Sequence, residues 1–345
     1  IKQEINMMRL SKMGFAAALV ATGSLAGAAE VEVLHWWTSG GEAKAAAELK
    51  TMMTTKGHIW KDFAVAGGGG DAAMTVLKSR VVSGNPPAAA QIKGPAIQEW
   101  AVEGVLANLD PIAKVEGWDK LLPPEVSNVM KYKGSYVAVP VNVHRVNWMW
   151  ANPDVMKKSG VTAVPKTWDE FFAAADKVKK AGFIAVAHGG QNWQDFTTFE
   201  DVVLGVGGPK FYTDSLVKLD QKALNSPTMT KVLETFRKIK SYTDPGAPGR
   251  DWNLATAMVM QGKAGSIPVR LGMKMDKFDD CGKTSSQDFV AAAKSGGLVP
   301  SVAHGMAIAP AAEGAIKDAV SQFWNNDKMS VADGVKSIAK AAMTK

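Results

Sequence analysis

A single cysteine, Cys281, serves a chain of 345 residues, so no disulfide can close within it and the fold must rest on its apolar core. Five histidines lie far apart and form no Cys/His cluster with metal-ligand spacing, which argues against a metal centre. Lys and Arg number 40 against 33 Asp and Glu, a net +7, yet no block of five or more basic residues occurs. A nucleic-acid footprint would need that charge in one stripe, and this partner is excluded. Beyond the first 28 residues no run is long and uncharged enough to span a bilayer, which takes about 20 apolar residues. Internal repeats and low-complexity tracts are absent. Gly67–Gly70 lacks the Lys-Ser/Thr ending of a phosphate-binding P-loop and the spacing of a dinucleotide fingerprint, so it reads as a flexible turn and no cofactor is expected. A Gly-x-Ser-x-Gly nucleophile motif is missing too, and nothing singles out a catalytic carboxylate pair.

What is present is a chain with 46% apolar and 21% charged residues, enough for two ordinary domains. Residues 1–28 read as a secretory signal: Arg9 and Lys12 form the basic start, Met13–Leu25 is apolar or small, and Ala26-Gly27-Ala28 offers a cleavage site. An exported chain with one cysteine implies a free thiol, an intermolecular bond or a missing partner. Val31–Trp37 reads as a strand, Thr38–Glu42 as a Gly-rich turn and Ala43–Thr54 as a helix. Phe63–Val65 and Ala88–Ile92 are further strands, with helices over Asp71–Val82 and from Lys93-Gly94-Pro95 through Glu103. Tyr136–Val141 is β-rich. Thr167 and Glu170 make a capping box that opens a helix, Ile184–Ala187 is a strand, and Trp252–Gln261 is helical after the Pro245–Gly249 loop. The βα alternation falls into two blocks, roughly 29–141 and 151–262, joined by a crossing at 136–152.

Of the eleven tryptophans, Trp36, Trp37, Trp193 and Trp252 stand beside turn residues at strand ends. In an α/β unit the ligand crevice lies beyond the strands' C-terminal ends. A flat indole covers the C–H face of a sugar ring, while charged and amide side chains bond its hydroxyl rim. Isolated tryptophans are ordinarily core; a Trp-Trp pair beside Gly-Gly-Glu is as readily part of a polar-ligand pocket.

Five segments carry a resemblance: Val33–Glu42 (VLHWWTSGGE), Gln91–Pro95 (QIKGP), Val139–Arg145 (VPVNVHR), Gly189–Asp195 (GGQNWQD) and Gly265–Arg270 (GSIPVR). With the signal segment they closely resemble the periplasmic sugar-binding proteins of ABC transporters, extracellular solute-binding protein family 1, in its glucose/mannose-binding branch. The resemblance implies an α/β, two-lobed periplasmic-binding-protein fold with a hinge between lobes, incomplete here. The first lobe would run over 29–141, the hinge crossing and second lobe over 142–262, and a C-terminal helical part over 263–345 would pack on the second lobe. It implies a monomer that binds a monosaccharide, glucose, and hands it to an inner-membrane permease without catalysis. By motif match the sugar would meet Trp36, Trp37, Glu42, Gln91 and Lys93 of the first lobe. Asn142 and His144 fall at the crossing, Gln191 and Trp193 on the second lobe, and His304 in the C-terminal part. Stacking falls to the tryptophans and hydroxyl contacts to Glu42, Lys93 and His304.

One departure stands out. In relatives, a strand with a Gly-Asp-Trp motif, a cysteine-containing loop and a further strand precede the Gly-Ser-Ile-Pro-Val-Arg segment. Here Gly265 serves both sides, so a segment is missing between Lys263 and Ser266, with the usual partner of Cys281 and the lysine that Ala264 replaces. Two other functions fit the same motifs: a secreted carbohydrate-active enzyme, which would release product from oligosaccharides, and a sensing partner for a receptor's periplasmic domain.

Overall fold

The computed structural model describes residues 28–67, 70–141, 146–147, 149–268, 291 and 298–344. The expected signal segment (save its last residue), Asn142, His144 and Cys281 lie outside the described residues.

The N-terminal part is built on a three-stranded parallel sheet, β1 (Glu30–His35), β2 (Ile59–Ala64) and β3 (Ala89–Ala90), ordered β2-β1-β3. Its register pairs Leu34 with Phe63 on one side and with Ala90 on the other. Parallel strands need helical crossovers, supplied by α1 (Gly40–Thr55) and α2 (Asp71–Val82). The Gly-Gly pair expected to turn is instead the first turn of α1: Ser39 is the N-cap, and its hydroxyl donates to the Glu42 carboxylate at 2.8 Å. The strand expected over Ala88–Ile92 shrinks to two residues.

Helix α3 (Ala96–Val102) follows, then three short helices that periodicity did not announce, α4 (Asp110–Glu116), α5 (Trp118–Leu121) and α6 (Pro124–Ser127). The β-rich run at 136–141 pairs only at its start, where β4 (Lys131–Tyr132) and β5 (Ser135–Tyr136) form a hairpin. Lys133 and Gly134 both take positive φ there, as a two-residue hairpin turn requires.

The second part holds a mixed sheet, β6 (Met149–Ala151), β7 (Ile184–Val186) and β8 (Ala264–Pro268), in the order β6-β8-β7. The central strand β8 runs antiparallel to β6 and parallel to β7. Around it lie α7 (Pro153–Lys158), α8 (Trp168–Lys180), α9 (Asn192–Tyr212), α10 (Gln221–Leu224), α11 (Pro227–Lys240), α12 (Trp252–Met260), α13 (Pro310–Asn325) and α14 (Val331–Ala341). Thr167 caps α8 by accepting from the Glu170 N–H at 3.2 Å, while the Glu170 carboxylate reaches back one residue further than in a capping box, to the Lys166 N–H. Helices α9, α11 and α13 pack against one another, and α14 closes the bundle. Phe199, Phe236, Phe323 and Trp324 meet at its centre. The whole is two α/β lobes, each with its own sheet and core.

Candidate functional site

All three parallel strands of the first lobe end on the same side, and the chain leaves them through Trp36-Trp37, Val65 and Gln91. Two hydrogen bonds knit these exits: the Gln91 N–H donates to the Leu34 carbonyl at 2.8 Å, and the Trp36 N–H to Gln91 Oε1 at 3.3 Å. The Trp36 indole packs on Gly70, whose φ of +88° and lack of a side chain are both required, since a Cβ would lie 2.8 Å from the ring. Lys93 places its ammonium 5.8 Å from the Trp36 ring centre, within cation–π reach. Trp37 is anchored by its backbone N–H, which donates to His35 Nδ1 at 3.2 Å. Its buried indole N–H finds no acceptor among the described residues. A buried donor without a partner is costly, and such groups ordinarily await a ligand or an ordered water.

The opposite wall comes from the second lobe. Glu200, in the middle of α9, is buried and carries the turn at 300–306 on its carboxylate. It accepts from Ser301 Oγ, from Tyr212 Oη at 2.8 Å, and from the N–H groups of Val302 and Ala303 at 3.0 and 3.3 Å. Burial pushes the Glu200 carboxyl up, and these four bonds oppose the rise. Ser301 in turn holds His304: the His304 N–H donates to Ser301 Oγ, and Nδ1 lies 3.1 Å from the same oxygen. Ser301 donates its one proton to Glu200, so its oxygen is free to accept from the His304 side.

The walls touch where Gly94 meets Gly305. Both glycines take positive φ, and a Cβ at Gly94 would collide with the Gly305 carbonyl oxygen. Lys93 reaches the same turn, which also borders the buried Glu313–Lys317 pair of α13.

Between the walls is a cavity of about 950 Å³. Trp36, Trp37, Gln91 and Lys93 line one side, Asp201, Ser301 and His304 the other, with Asn147 from the crossing between them. Five of the residues singled out from sequence thus come together here. Glu42 stays in the first turn of α1, outside the lining. Gln191 and Trp193 form a separate cluster at the start of α9. There the Gln191 side chain accepts from Trp193 Nε1 and Gln194 Nε2 at 2.9 and 3.0 Å and donates to Asp251, pinning the 244–252 loop. Arg250 reinforces that loop through Asp244 and the His188 carbonyl. Glu200 and Asp201 carry a legible signal that motif matching misses: two adjacent acids between Phe196, Phe199, Val202 and Val203.

Among the described residues no three His, Cys, Asp or Glu side chains gather as a cation site, and no described helix is long and apolar enough to cross a membrane.

Residues 62–309 match the family of bacterial extracellular solute-binding proteins. A "Probable sugar-binding periplasmic protein" of Mesorhizobium japonicum is 39% identical over 90% of this chain and 93% of its own length. A protein of the same description from Brucella suis biovar 1 is 46% identical over 82% of this chain and 68% of its own. Among solved structures, a "Chitin oligosaccharide binding protein" superposes with a TM-score of 0.69 at 16% identity, covering 91% of this chain and 98% of that one.

Proposed function

Because the chain belongs to the bacterial extracellular solute-binding proteins, we propose that it is the sugar-binding component of an ABC transporter and that its ligand is a monosaccharide, D-glucose, delivered to a permease. Its relatives are described as periplasmic, and that is the compartment in which it works. The observation that carries this reading is a cavity whose wall is shared between lobes, with stacked indole and lysine on one face and a held histidine on the other. Indole faces match the C–H surface of a pyranose, and Gln91, Lys93, Asn147 and His304 supply donors and acceptors for its hydroxyls. In this reading Trp36, Trp37, Gln91, Lys93 and His304 bind the sugar directly, with Asn142 and His144 as further contacts, whereas Glu42, Gln191 and Trp193 lie outside the cavity lining. Binding draws the lobes together because the ligand touches both, and no bond is made or broken. The protein acts as a monomer.

The shortened junction is part of the same proposal. The alignment with the Mesorhizobium relative runs over 388 positions but takes in 90% of 345 residues, about 310, so about 78 positions of the relative face no residue here. That difference supports a segment missing from this chain; its place between Lys263 and Ser266 rests on the motif order, and a loss of affinity or stability is its consequence.

A thermal melt with and without excess D-glucose tests the reading. Ligand at 100 times its dissociation constant adds about 2.7 kcal/mol, an upward shift of several degrees. A melt moved by glucose and not by galactose or xylose supports the assignment; one moved by no monosaccharide sinks it. Restoring the relative's segment should tighten binding, and equal affinity in both forms would remove the proposal about the junction. Product released from oligosaccharides would favour an enzyme instead.

A further inference from the structure

Helix α9 presents two neighbouring acids with opposite fates. Glu200 spends its carboxylate on the 300–304 turn. Asp201, about 100° further round the helix, faces elsewhere. It lines the inter-lobe cavity and also a smaller one of about 260 Å³ behind it, whose wall includes Thr198, Leu204 and Gly205 from the same helix. Asn147, Asp201 and Leu204 are common to both cavities, so Asp201 stands at the partition between them. The remaining lining of the smaller cavity is mostly apolar, with Met149, Trp168, Phe171, Val186 and Ile239. Among the described residues no hydrogen-bond donor and no cation reaches the Asp201 carboxyl. Asp201 is half-buried, so its carboxyl meets the space of the cavities and not a protein partner. An acid that lines a pocket with no protein partner is placed to meet a ligand.

The geometry points to Asp201 as a specificity-determining residue of this site, its carboxyl bonding one hydroxyl of the bound hexose from the second-lobe side. The inference rests on the reading of the cavity as a sugar site. A hydroxyl both donates and accepts, so it satisfies a carboxyl in either protonation state, whereas an apolar ligand would leave it orphaned. Burial and the adjacent Glu200 push the Asp201 carboxyl well above the usual carboxylate range, consistent with a group that waits for a neutral polar partner.

Calorimetric titration of the full chain with D-glucose and with 2-, 3-, 4- and 6-deoxyglucose, for wild type, Asp201→Asn and Asp201→Ala, provides the test. Loss of a hydrogen bond to a charged or buried polar group predicts glucose binding about 10–100-fold weaker in Asp201→Ala. For one deoxy sugar, the one lacking the hydroxyl that Asp201 reads, wild type and variant should bind equally. Asp201→Asn should be intermediate, and without sugar it should melt at or above wild type because the unpartnered acid is gone. The inference is overturned if both variants bind glucose as wild type does, if every deoxy sugar is weakened alike, or if Asp201→Asn melts well below wild type. A wild type that binds no hexose overturns the sugar reading and this inference together, whereas hexose binding untouched by either variant removes Asp201 alone.

Discussion

The two lobes share a βα grammar and differ in how much they bury. In the second lobe 32 of the described buried residues form one large cluster around α9, α11, α13 and α14, with a small satellite of Ala187, Ala255, Val259 and Ala264 beside the sheet. The first lobe has two separate groups, Leu34, Trp36, Trp37, Ala46, Ala73 and Leu77 under the sheet, and Ile97, Ala113, Met130 and Tyr136 under the short helices. The helices show why. Helix α11 carries Met229, Val232, Leu233, Phe236 and Ile239 on one stripe, whereas sixteen-residue α1 buries only Ala46 and leaves Met52 exposed. A lobe whose buried groups are all small opens locally at lower free energy than one dominated by a large cluster. The larger lobe is therefore the scaffold, and the smaller one the part that can adjust to a ligand.

Deleting one large side chain from each lobe tests that contrast most strongly. Phe236→Ala removes a fully buried ring that touches Phe199, Phe323 and Trp324, and should cost about 3–5 kcal/mol. Leu77→Ala, beside the large cavity, should cost about 2–3 kcal/mol because its surroundings can relax. Urea unfolding followed by circular dichroism measures both, and equal losses would erase the distinction between scaffold and adjustable lobe.

The second prediction sharpens the contrast electrostatically, since the larger lobe has acids shifted in both directions. Glu200 and Asp201 are raised, chiefly by burial. A raised acid contributes its stability below the ordinary carboxylate range and loses it as pH rises through its folded-state value. Asp244 is lowered, first by its bond to Arg250, so its contribution is present above the ordinary range and lost as pH falls through its own folded-state value. Melting temperatures from about pH 4 to pH 9 should decline along the upper limb, and Asp201→Asn should flatten that decline. An unchanged slope in the variant would mean that Asp201 does not titrate there.

The smallest effect concerns a cap. Thr167→Ala leaves the Glu170 N–H without its acceptor and should lower stability by about 1 kcal/mol, read as a modest drop in melting temperature. No measurable drop would mean that the Lys166–Glu170 bond suffices to hold the start of α8.

The sequence made some of this legible and hid the rest for identifiable reasons. The bounds of helix α2, Asp71–Val82, are legible because a turn-forming glycine run precedes it and Asn85-Pro86-Pro87 stops it. The start of α1 differs from the expected turn: Gly40 and Gly41 favour turns in isolation, yet they form the first helical turn after Ser39, whose hydroxyl bonds the Glu42 carboxylate. Helices α5 and α6 have four residues each, too short for a period to show. In the cavity wall, Trp36, Trp37, Gln91 and Lys93 were readable because all follow strand ends, and parallel strands bring those ends to one side. Gln191 and Trp193 also follow a strand, yet the structure turns them toward the 244–252 loop, a packing preference that no local pattern encodes.

By itself the sequence determined the alternation of strands and helices, the caps, and the strand-end placement of the aromatic and polar residues, because those depend on neighbours within a turn or two of the chain. Tertiary structure alone decided that Glu200 would hold a turn about a hundred residues away, that Gly94 would meet Gly305, and that Asp201 would stand without a partner between two cavities. Those outcomes depend on how two lobes pack, a balance of burial and close approach among residues distant in sequence that is settled only when the whole chain has folded.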